Sequence, residues 1–230
     1  MAAPTQIVRE KERNPNRSRE LILDAAERLF AERGYEATSL SDVGREADLS
    51  RATPGYFFGS KADLYRAVLE RCFDAVRVAA RSGRARAIAS GQPVEVILAG
   101  AVSDYCDFVA ARPNFVRLIQ REALANGPGL DGLPLSLAAG REMIAALSQE
   151  LGLEKIDQSE IAQMLFSLIA LTWFPHLHGE TLGRVAGLDP SAADFADRRK
   201  HHVTELLLGW LAARRSGPGP NETSRPRTLP

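Results

Sequence analysis

The side chains with the clearest binding chemistry lie between Thr38 and Lys61. Thr38 and Ser39 stand where a helix is predicted to begin, and hydroxyls together with the first backbone N–H groups of a helix can hold a phosphate. Arg51 and Thr53 stand where a later helix is predicted to begin, and from there side chains can reach base edges. An arginine can bond guanine through O6 and N7. These residue types at this spacing indicate a surface that binds nucleic acid.

Catalytic and metal-binding patterns are weak by comparison. The sequence contains no phosphate-binding loop, dinucleotide fingerprint, HExxH zinc motif or GxSxG nucleophile motif. His176, His178 and Glu180 are close in sequence, but the three do not have the spacing of a defined zinc site. Cys72 and Cys106 are far apart and predict no disulfide framework or cysteine-based zinc site. We therefore expect neither an enzyme, a cofactor nor a metal site.

The elements that must position the predicted binding residues are short helices. Pro15 suits the first position of a helix that ends near Gly34. Ser39 and Asp42 have the spacing of a capping box for a second helix, and Ser50 can cap a third after a turn of three or four residues. A helix-turn-helix unit of this kind places its second helix in the major groove of DNA.

Composition sets the class of protein. The chain has 230 residues, of which 45% are hydrophobic and 25% charged, and its net charge is zero. The longest mostly apolar run, 164–174, is far shorter than the ~20 residues that span a bilayer, and the first residues lack the apolar stretch of a signal peptide. We expect an all-α protein in the cytoplasm, without membrane contact.

Proline, glycine and charge patterns predict four segments. These are a basic flexible arm at 1–16, a helix-turn-helix domain at 17–77, a helical domain at 78–214 and a disordered tail at 215–230. A long helix is predicted to open at Ser60–Asp63, with breaks near Gly83 and at 90–93. Apolar periodicity predicts further helices at 93–111, 113–126, 134–152, 157–174 and 191–214.

The stretch GYEATSLSDVGREADLS (34–50) and its continuation YFFGSKADL (56–64) identify a likeness to a known family. Together with ILDAAERLF (22–30), they resemble the N-terminal domain of the tetracycline-repressor (TetR) family over residues 17–77. The resemblance implies a homodimeric transcriptional regulator, a repressor released from a palindromic operator in double-stranded DNA by a small-molecule effector. It also implies that the second domain holds the effector and the dimer interface.

Site residues follow from the resemblance and from position. In the family, the residues at Tyr56 and Phe57 touch backbone and bases, and the lysine at Lys61 contacts phosphate. The sequence departs from the family pattern at Gly44, Ala52, Pro54 and Gly55, and the Pro-Gly pair should shorten or redirect the recognition helix. The predicted DNA-binding residues are Thr38, Ser39, Ser50, Arg51, Ala52, Thr53, Tyr56, Phe57 and Lys61. Arginines in and just after the arm, Arg13, Arg17 and Arg19, can reach an adjacent groove or phosphates.

Two further sets are predicted in the second domain. An apolar effector pocket with a few polar groups is predicted from Tyr105, Phe108, Phe115, Met164, Trp173 and His176, with Cys106, Phe166 and Phe174 as further candidates. A dimer interface is predicted from Leu168, Val203, Leu206, Leu207 and Trp210. Such a dimer presents its recognition helices about 34–36 Å apart, or a multiple of that distance.

The residues alone are also consistent with two functions other than transcriptional regulation. In one, the chain is an all-α domain that binds a small molecule or catalyses a reaction, and its first 77 residues are only a packing module. In the other, helix 191–214 binds a different protein and the chain has no affinity for DNA. A contribution of Arg51, Tyr56 and Lys61 to DNA binding would favour the transcriptional regulator over both of these alternatives.

Overall fold

Helices make up nearly all of the regular structure in a computed structural model that describes residues 15–125, 145, 148–149 and 152–216. In chain order they are α1 (Pro15–Arg33), α2 (Leu40–Glu46), α3 (Thr53–Phe58), α4 (Lys61–Ser90), α5 (Val94–Ala110), α6 (Pro113–Leu124), α7 (Gln158–His178) and α8 (Phe195–Ser216). A short π-helix, Gly179–Gly183, follows α7 directly. No strand occurs among these described residues, which confirms the predicted all-α class.

Contacts divide the chain into two units, Met1–Val68 and Leu69–Pro230, with the division inside α4. The core of the first unit contains the apolar face of α1, which the spacing of its residues predicted. Ile22, Ala26 and Phe30 are fully buried there, as are Val43 of α2 and Leu64 of α4. The T-shaped contact of Phe30 with Tyr65, at 4.8 Å between ring centroids, is part of the same packing.

The second unit has an aliphatic core between α5, α7 and α8. It contains Leu98, Val102, Leu153, Ile161, Met164, Val203, Leu207 and Leu211. Ion pairs join the same helices near the surface, such as Lys200 with Asp107 at 2.6 Å and Arg214 with Glu160 at 2.9 Å. In this core α8 contributes three fully or nearly fully buried side chains, so much of its apolar surface packs within this chain.

Several predicted helix bounds are wrong. The fourth helix continues through Gly83 to Ser90 because one glycine costs a helix only about 1 kcal/mol. The seventh continues past Phe174 to His178, through Pro175. The last helix begins at Phe195 and not at 191.

Some predictions fall outside the described residues. Helix 134–152 lies almost wholly there, and so do most of the arm 1–16 and of the tail 215–230. Among the described residues, no helix is long and apolar enough to cross a membrane. Within that same part of the chain, no three His, Cys, Asp or Glu side chains are grouped so that they could hold a metal ion.

Candidate nucleic-acid interface

The connection between α2 and α3 sets the geometry of the predicted DNA surface. It runs from Ala47 to Ala52 and is longer than predicted because α3 begins at Thr53. Asp48 takes a left-handed conformation, with φ of 54°, and the Leu49 N–H donates to the Gly44 carbonyl at 2.9 Å. These features turn the chain sharply after α2 and return it against the side of that helix.

Ser50 does not cap α3, so the predicted capping role is wrong. The N-cap is Ala52, which makes no side-chain capping bond. The Ser50 hydroxyl instead forms a 2.7 Å hydrogen bond with the Thr53 hydroxyl. The bond joins the turn to the first residue of the short helix, where Pro54 sits in the first turn and is buried. The helix ends at Phe58 and is six residues long.

Gly44 permits the close approach of the turn to α2. A Cβ atom built on Gly44 would lie 2.7 Å from the Ser50 carbonyl oxygen and 3.0 Å from the Arg51 Cα. Both neighbours are backbone atoms, so neither can yield without displacing the start of the α3 region. The family pattern has alanine here, and this chain therefore packs α2 and the turn more closely than an alanine permits.

We expect Gly44→Ala to lower the free energy of unfolding of the first unit by about 1–3 kcal/mol, the typical cost of overpacking. Gly55→Ala is the matched control, because the nearest atom to its Cβ is Leu40 Cδ1 at 3.8 Å. That change should raise stability by up to about 1 kcal/mol, through helix propensity. Thermal unfolding followed by circular dichroism and tyrosine fluorescence measures both. Equal or greater stability of Gly44→Ala would contradict the close packing.

The predicted contact residues differ in exposure. Ser39, Ser50, Arg51, Ala52 and Tyr56 are exposed, whereas Thr53, Phe57 and Lys61 are partly buried. Tyr56 is 87% exposed and meets the Phe57 ring in a T-shaped contact at 5.5 Å. A tyrosine held outward to this degree buries little of its ring within the unit, so core packing does not account for its position.

Thr38 is the exception, and the structure contradicts its predicted phosphate contact. Its side chain is 1% exposed, and its hydroxyl donates toward the carbonyl oxygens of Gly34 at 2.9 Å and Leu29 at 3.3 Å. The hydroxyl therefore satisfies the C-terminal end of α1. Sequence could not distinguish this role from capping of α2, because Thr38 is adjacent to both helix ends.

Ser39 caps α2 as predicted. The Asp42 N–H donates to the Ser39 hydroxyl oxygen at 3.1 Å, and the Ser39 N–H and hydroxyl donate to the Asp42 carboxylate at 3.2 and 2.6 Å. The hydroxyl of Ser39, and next its backbone N–H, hold the pKa of Asp42 below its usual value. Arg45 also pairs with this carboxylate. The side chain of Ser39 is thus already engaged at the start of α2.

Lys61 and Arg19 make contacts that the sequence did not indicate. The Lys61 ammonium donates to the Tyr35 carbonyl at 2.9 Å and lies 4.2 Å from the Tyr35 ring centroid. Arg19 belongs to α1 and not to a flexible arm. Its guanidinium lies 4.3 Å from the centroid of the Phe58 ring. A lysine or arginine and an aromatic residue that are far apart in sequence form too common a combination to have predicted these contacts.

The predicted effector residues fall into separate groups. Tyr105, Phe108, Phe115 and Trp173 form a connected set of rings, and the Trp173 Nε1–H donates to the Tyr105 hydroxyl at 2.9 Å. Burial raises the pKa of Tyr105 to about 12, and partial burial lowers the pKa of His176. A depression of about 350 Å³ beside Ser148, Glu154 and Gln158 has none of the predicted residues in its lining.

Other members of that set lie elsewhere. Met164 is 4% exposed and packs in the aliphatic core between α5 and α8. Phe166 and Phe174 are 70% and 49% exposed, so neither lines an enclosed cavity within the protomer. Helical periodicity placed them on an apolar helix, but it could not tell an inward face from an outward one.

The predicted dimer residues also separate. Val203 and Leu207 are buried in the core of their own protomer, which contradicts their assignment to an interface. Leu206 is 47% exposed, while Leu168 and Trp210 are partly buried against the core. The outward apolar residues on α7 and α8 are therefore Phe166, Phe174 and Leu206.

Sequence comparisons match the part of the chain that contains this surface. The family model described as "Bacterial regulatory proteins, tetR family" matches residues 22–68. The chain is 36% identical over 53 residues to the biofilm operon icaADBC HTH-type negative transcriptional regulator IcaR of Staphylococcus epidermidis. The match covers 23% of this chain and 29% of IcaR. IcaR of Staphylococcus aureus (strain Newman) is 38% identical over 53 residues, 23% of this chain and 28% of that protein. This chain thus spans about three tenths of the length of the curated relatives it matches.

Solved structures share the fold over more of the chain. A putative transcriptional regulator from Streptomyces coelicolor has a TM-score of 0.62 and 23% identity, with 82% of this chain and 97% of that chain covered. The ketosteroid transcriptional regulator KstR2 of Mycobacterium tuberculosis has a TM-score of 0.59 and 20% identity, covering 84% and 93%. At these identities the likeness shows the helical fold alone.

Proposed function

We propose that this chain, whose N-terminal domain belongs to the tetR family of bacterial regulatory proteins, is a sequence-specific DNA-binding transcriptional regulator. The observation that carries the proposal is the exposed surface of the turn and of α3, on which Arg51 and Tyr56 are both accessible. Arg51 is suited to a guanine edge, and the Tyr56 hydroxyl is suited to a phosphate. We assign no enzymatic reaction to the chain.

The proposed interface is smaller than the sequence predicted. It contains Arg51, Thr53, Tyr56, Phe57 and Lys61, with the exposed Ser39, Ser50 and Ala52 at its edge. Thr38 is left out because its hydroxyl is buried. Since Pro54 and Gly55 occupy the first turn of a six-residue helix, side chains from the turn before α3 must supply part of the base recognition. Arg51 lies in that turn.

Selection from random-sequence DNA with the full-length protein tests this function. We expect enrichment of a pseudo-palindromic duplex whose half-sites are one helical turn apart or a multiple of it, and binding that weakens as salt increases. A gel shift of the enriched duplex against a scrambled duplex of equal length measures specificity. Enrichment of no sequence over repeated rounds would contradict the proposal.

Dimerisation is proposed through the outward apolar residues of α7 and α8. Phe166 and Leu206 are large apolar side chains exposed in the protomer, and exposed apolar surface of this kind marks interaction sites. A two-fold dimer brings the same helices of both copies together. A pair of identical N-terminal domains then explains why a palindromic operator is expected.

Leu206→Glu is expected to shift the protein from a dimer to a monomer of 25.0 kDa. Burial of an unpaired carboxylate in the interface should weaken association about 100-fold or more. The matched control is Val96→Glu on α5, where the side chain is 52% exposed against 47% for Leu206. Sedimentation equilibrium measures the monomer–dimer equilibrium of both variants. Dissociation by both changes, or by neither, would contradict this interface.

Repression and release by a small molecule complete the proposed mechanism. The IcaR relatives are negative regulators by description, and a structural neighbour is described as a ketosteroid regulator. For this chain we propose an effector site near Tyr105 and Trp173, whose 2.9 Å hydrogen bond joins α5 and α7. An effector that binds the DNA-incompetent form more tightly shifts the population away from the operator. A screen for compounds that release the protein from the selected duplex would identify the effector.

A further inference from the structure

Arg19, near the start of α1, stacks on a ring that belongs to α3. The central guanidinium carbon lies 4.3 Å from the centroid of the Phe58 ring, and Phe58 is the last residue of α3. At this distance a guanidinium and a ring face attract each other through a cation–π interaction, and the two planar groups also stack. Arg19 is exposed and Phe58 is partly buried, so the contact lies at the surface of the first unit.

Helix α3 needs support from other elements. A helix of six residues is too short to be stable alone. Its N-cap, Ala52, makes no side-chain bond, and Pro54 is the only residue of α3 that is buried. Tyr56 and Phe57, which belong to the proposed DNA interface, follow Pro54 toward the other end. The position of these two side chains therefore depends on what holds the end of α3 at Phe58.

Local backbone bonds close that end of α3. Gly59 has a φ of 78°, and its N–H donates to the Gly55 carbonyl at 2.9 Å. The Ser60 N–H donates to the Phe58 carbonyl at 3.1 Å, and α4 begins at the next residue. These bonds join neighbours in the sequence, so they do not fix the end of α3 relative to α1. The contact of Arg19 with the Phe58 ring does so.

We propose that Arg19 is a positioning residue of the DNA-binding surface, which holds the end of α3 against α1 through the Phe58 ring. The inference rests on the proposed function for its DNA role. Stacking uses one face of the guanidinium and leaves the N–H groups at its edge available to a phosphate, so the two roles are compatible. They differ in effect, because a lost phosphate contact weakens all sequences about equally, whereas lost positioning changes the preference at bases that α3 reads.

The first arm of the test measures amide hydrogen exchange in the free, full-length protein. In Arg19→Met we expect exchange at the Gly59 N–H to rise about 2- to 5-fold, the equivalent of one exposed cation–π contact. The Gly34 N–H, which bonds the Phe30 carbonyl at the far end of α1, should be unchanged. The matched control is Arg17→Met, which removes the same charge from an exposed arginine of α1 and should change neither amide.

A double-mutant cycle shows whether the effect passes through the ring. Phe58→Leu keeps an apolar side chain but removes the ring face. In that background Arg19→Met should change exchange at Gly59 by less than about 1.5-fold. An equal rise in both backgrounds would overturn the role of Phe58. The comparison of Arg19→Met with Arg17→Met needs no change at Phe58, so it decides even if Phe58→Leu does not fold.

The second arm compares affinities for the duplex selected by the wild-type protein and for duplexes with single base-pair changes. Phe57→Ala identifies the base pairs that the end of α3 reads. Arg19→Met should reduce discrimination at those base pairs about 2- to 5-fold, because a loosened helix relieves a mismatch by up to the energy of the lost contact. The preference proposed for Arg51 should stay intact, and Arg17→Met should leave discrimination unchanged at every position.

The outcomes separate as follows. A rise in exchange confined to Gly59, together with reduced discrimination, supports positioning by Arg19. Unchanged exchange at Gly59, an equal rise at Gly34, or unchanged discrimination overturns it. A wild-type protein that selects no duplex contradicts the proposed function, and the DNA role of Arg19 with it. The exchange cycle then still decides whether Arg19 holds the end of α3, so the two failures are distinguishable.

Discussion

Replacement of Arg51 by alanine is expected to weaken binding of the selected duplex about 5- to 150-fold, the equivalent of ~1–3 kcal/mol for one bidentate base contact. Arg51 is exposed, in the turn that leads into the short helix α3. The change should also remove the preference for guanine at one position of each half-site. Loss of a phosphate contact would instead weaken all sequences about equally.

The measurement is a competition between the selected duplex and duplexes with single base-pair changes, for the wild type and Arg51→Ala. Arg28→Ala is the matched control, because Arg28 also lies in the first unit but its charge is paired with Glu46 at 3.1 Å. The control should change affinity by less than about 3-fold and leave base preference intact, as expected for an exposed ion pair. An equal loss of affinity for all duplexes with Arg51→Ala would show that Arg51 contacts the DNA backbone and not a base.

Local signals explain which parts of the structure the sequence predicted. Ser39 and Asp42 form their capping box within four consecutive residues, so no distant contact was needed to predict it. The inward face of α1 likewise follows from the spacing of Ile22, Ala26 and Phe30. Exposed Tyr56 was predicted through the resemblance, and its exposure in the structure agrees with a binding role that remains a proposal.

Distant contacts explain the rest. Val203 and Leu207 are apolar whether they face a partner or their own core, and only the packing of α5 and α7 against α8 decides. Thr38 stands between two helices, and its bonds to carbonyls of α1 and of Gly34 decide its role. Apolar periodicity predicted a helix that ends at 174, whereas the observed helix continues through Pro175, which has no N–H to donate. A residue from another helix donates to the carbonyl that this N–H would have bonded.

The replacement donor is Arg199 of α8. In a regular helix the N–H of residue 175 would donate to the Leu171 carbonyl, and proline has no N–H. The Arg199 guanidinium donates to that carbonyl twice, from Nε at 3.0 Å and from Nη2 at 2.6 Å. Burial lowers the pKa of Arg199, yet an arginine stays charged throughout the physiological range. The contact thus supplies a charged donor to a partly buried carbonyl.

Arg199→Met is accordingly expected to lower the free energy of unfolding of the second unit by about 1–3 kcal/mol, the cost of an unsatisfied buried acceptor. In the Pro175→Ala background an alanine N–H becomes available to the Leu171 carbonyl. The same change at Arg199 should then cost at least about 1 kcal/mol less, a coupling that a double-mutant cycle measures. Arg198→Met, which removes an exposed ion pair with Asp194, should cost at most about 0.5 kcal/mol.

Tryptophan fluorescence during urea unfolding reports this cycle selectively, because Trp173 and Trp210, the two tryptophans of the chain, both lie in the second unit. Protein concentration must be equal for the wild type and the three variants of the cycle, since the proposed dimerisation would contribute to apparent stability. Equal costs of Arg199→Met in the two backgrounds would show that Arg199 stabilises the unit by packing or by charge. A smaller cost without the proline would show that α7 passes through Pro175 because α8 supplies the missing donor.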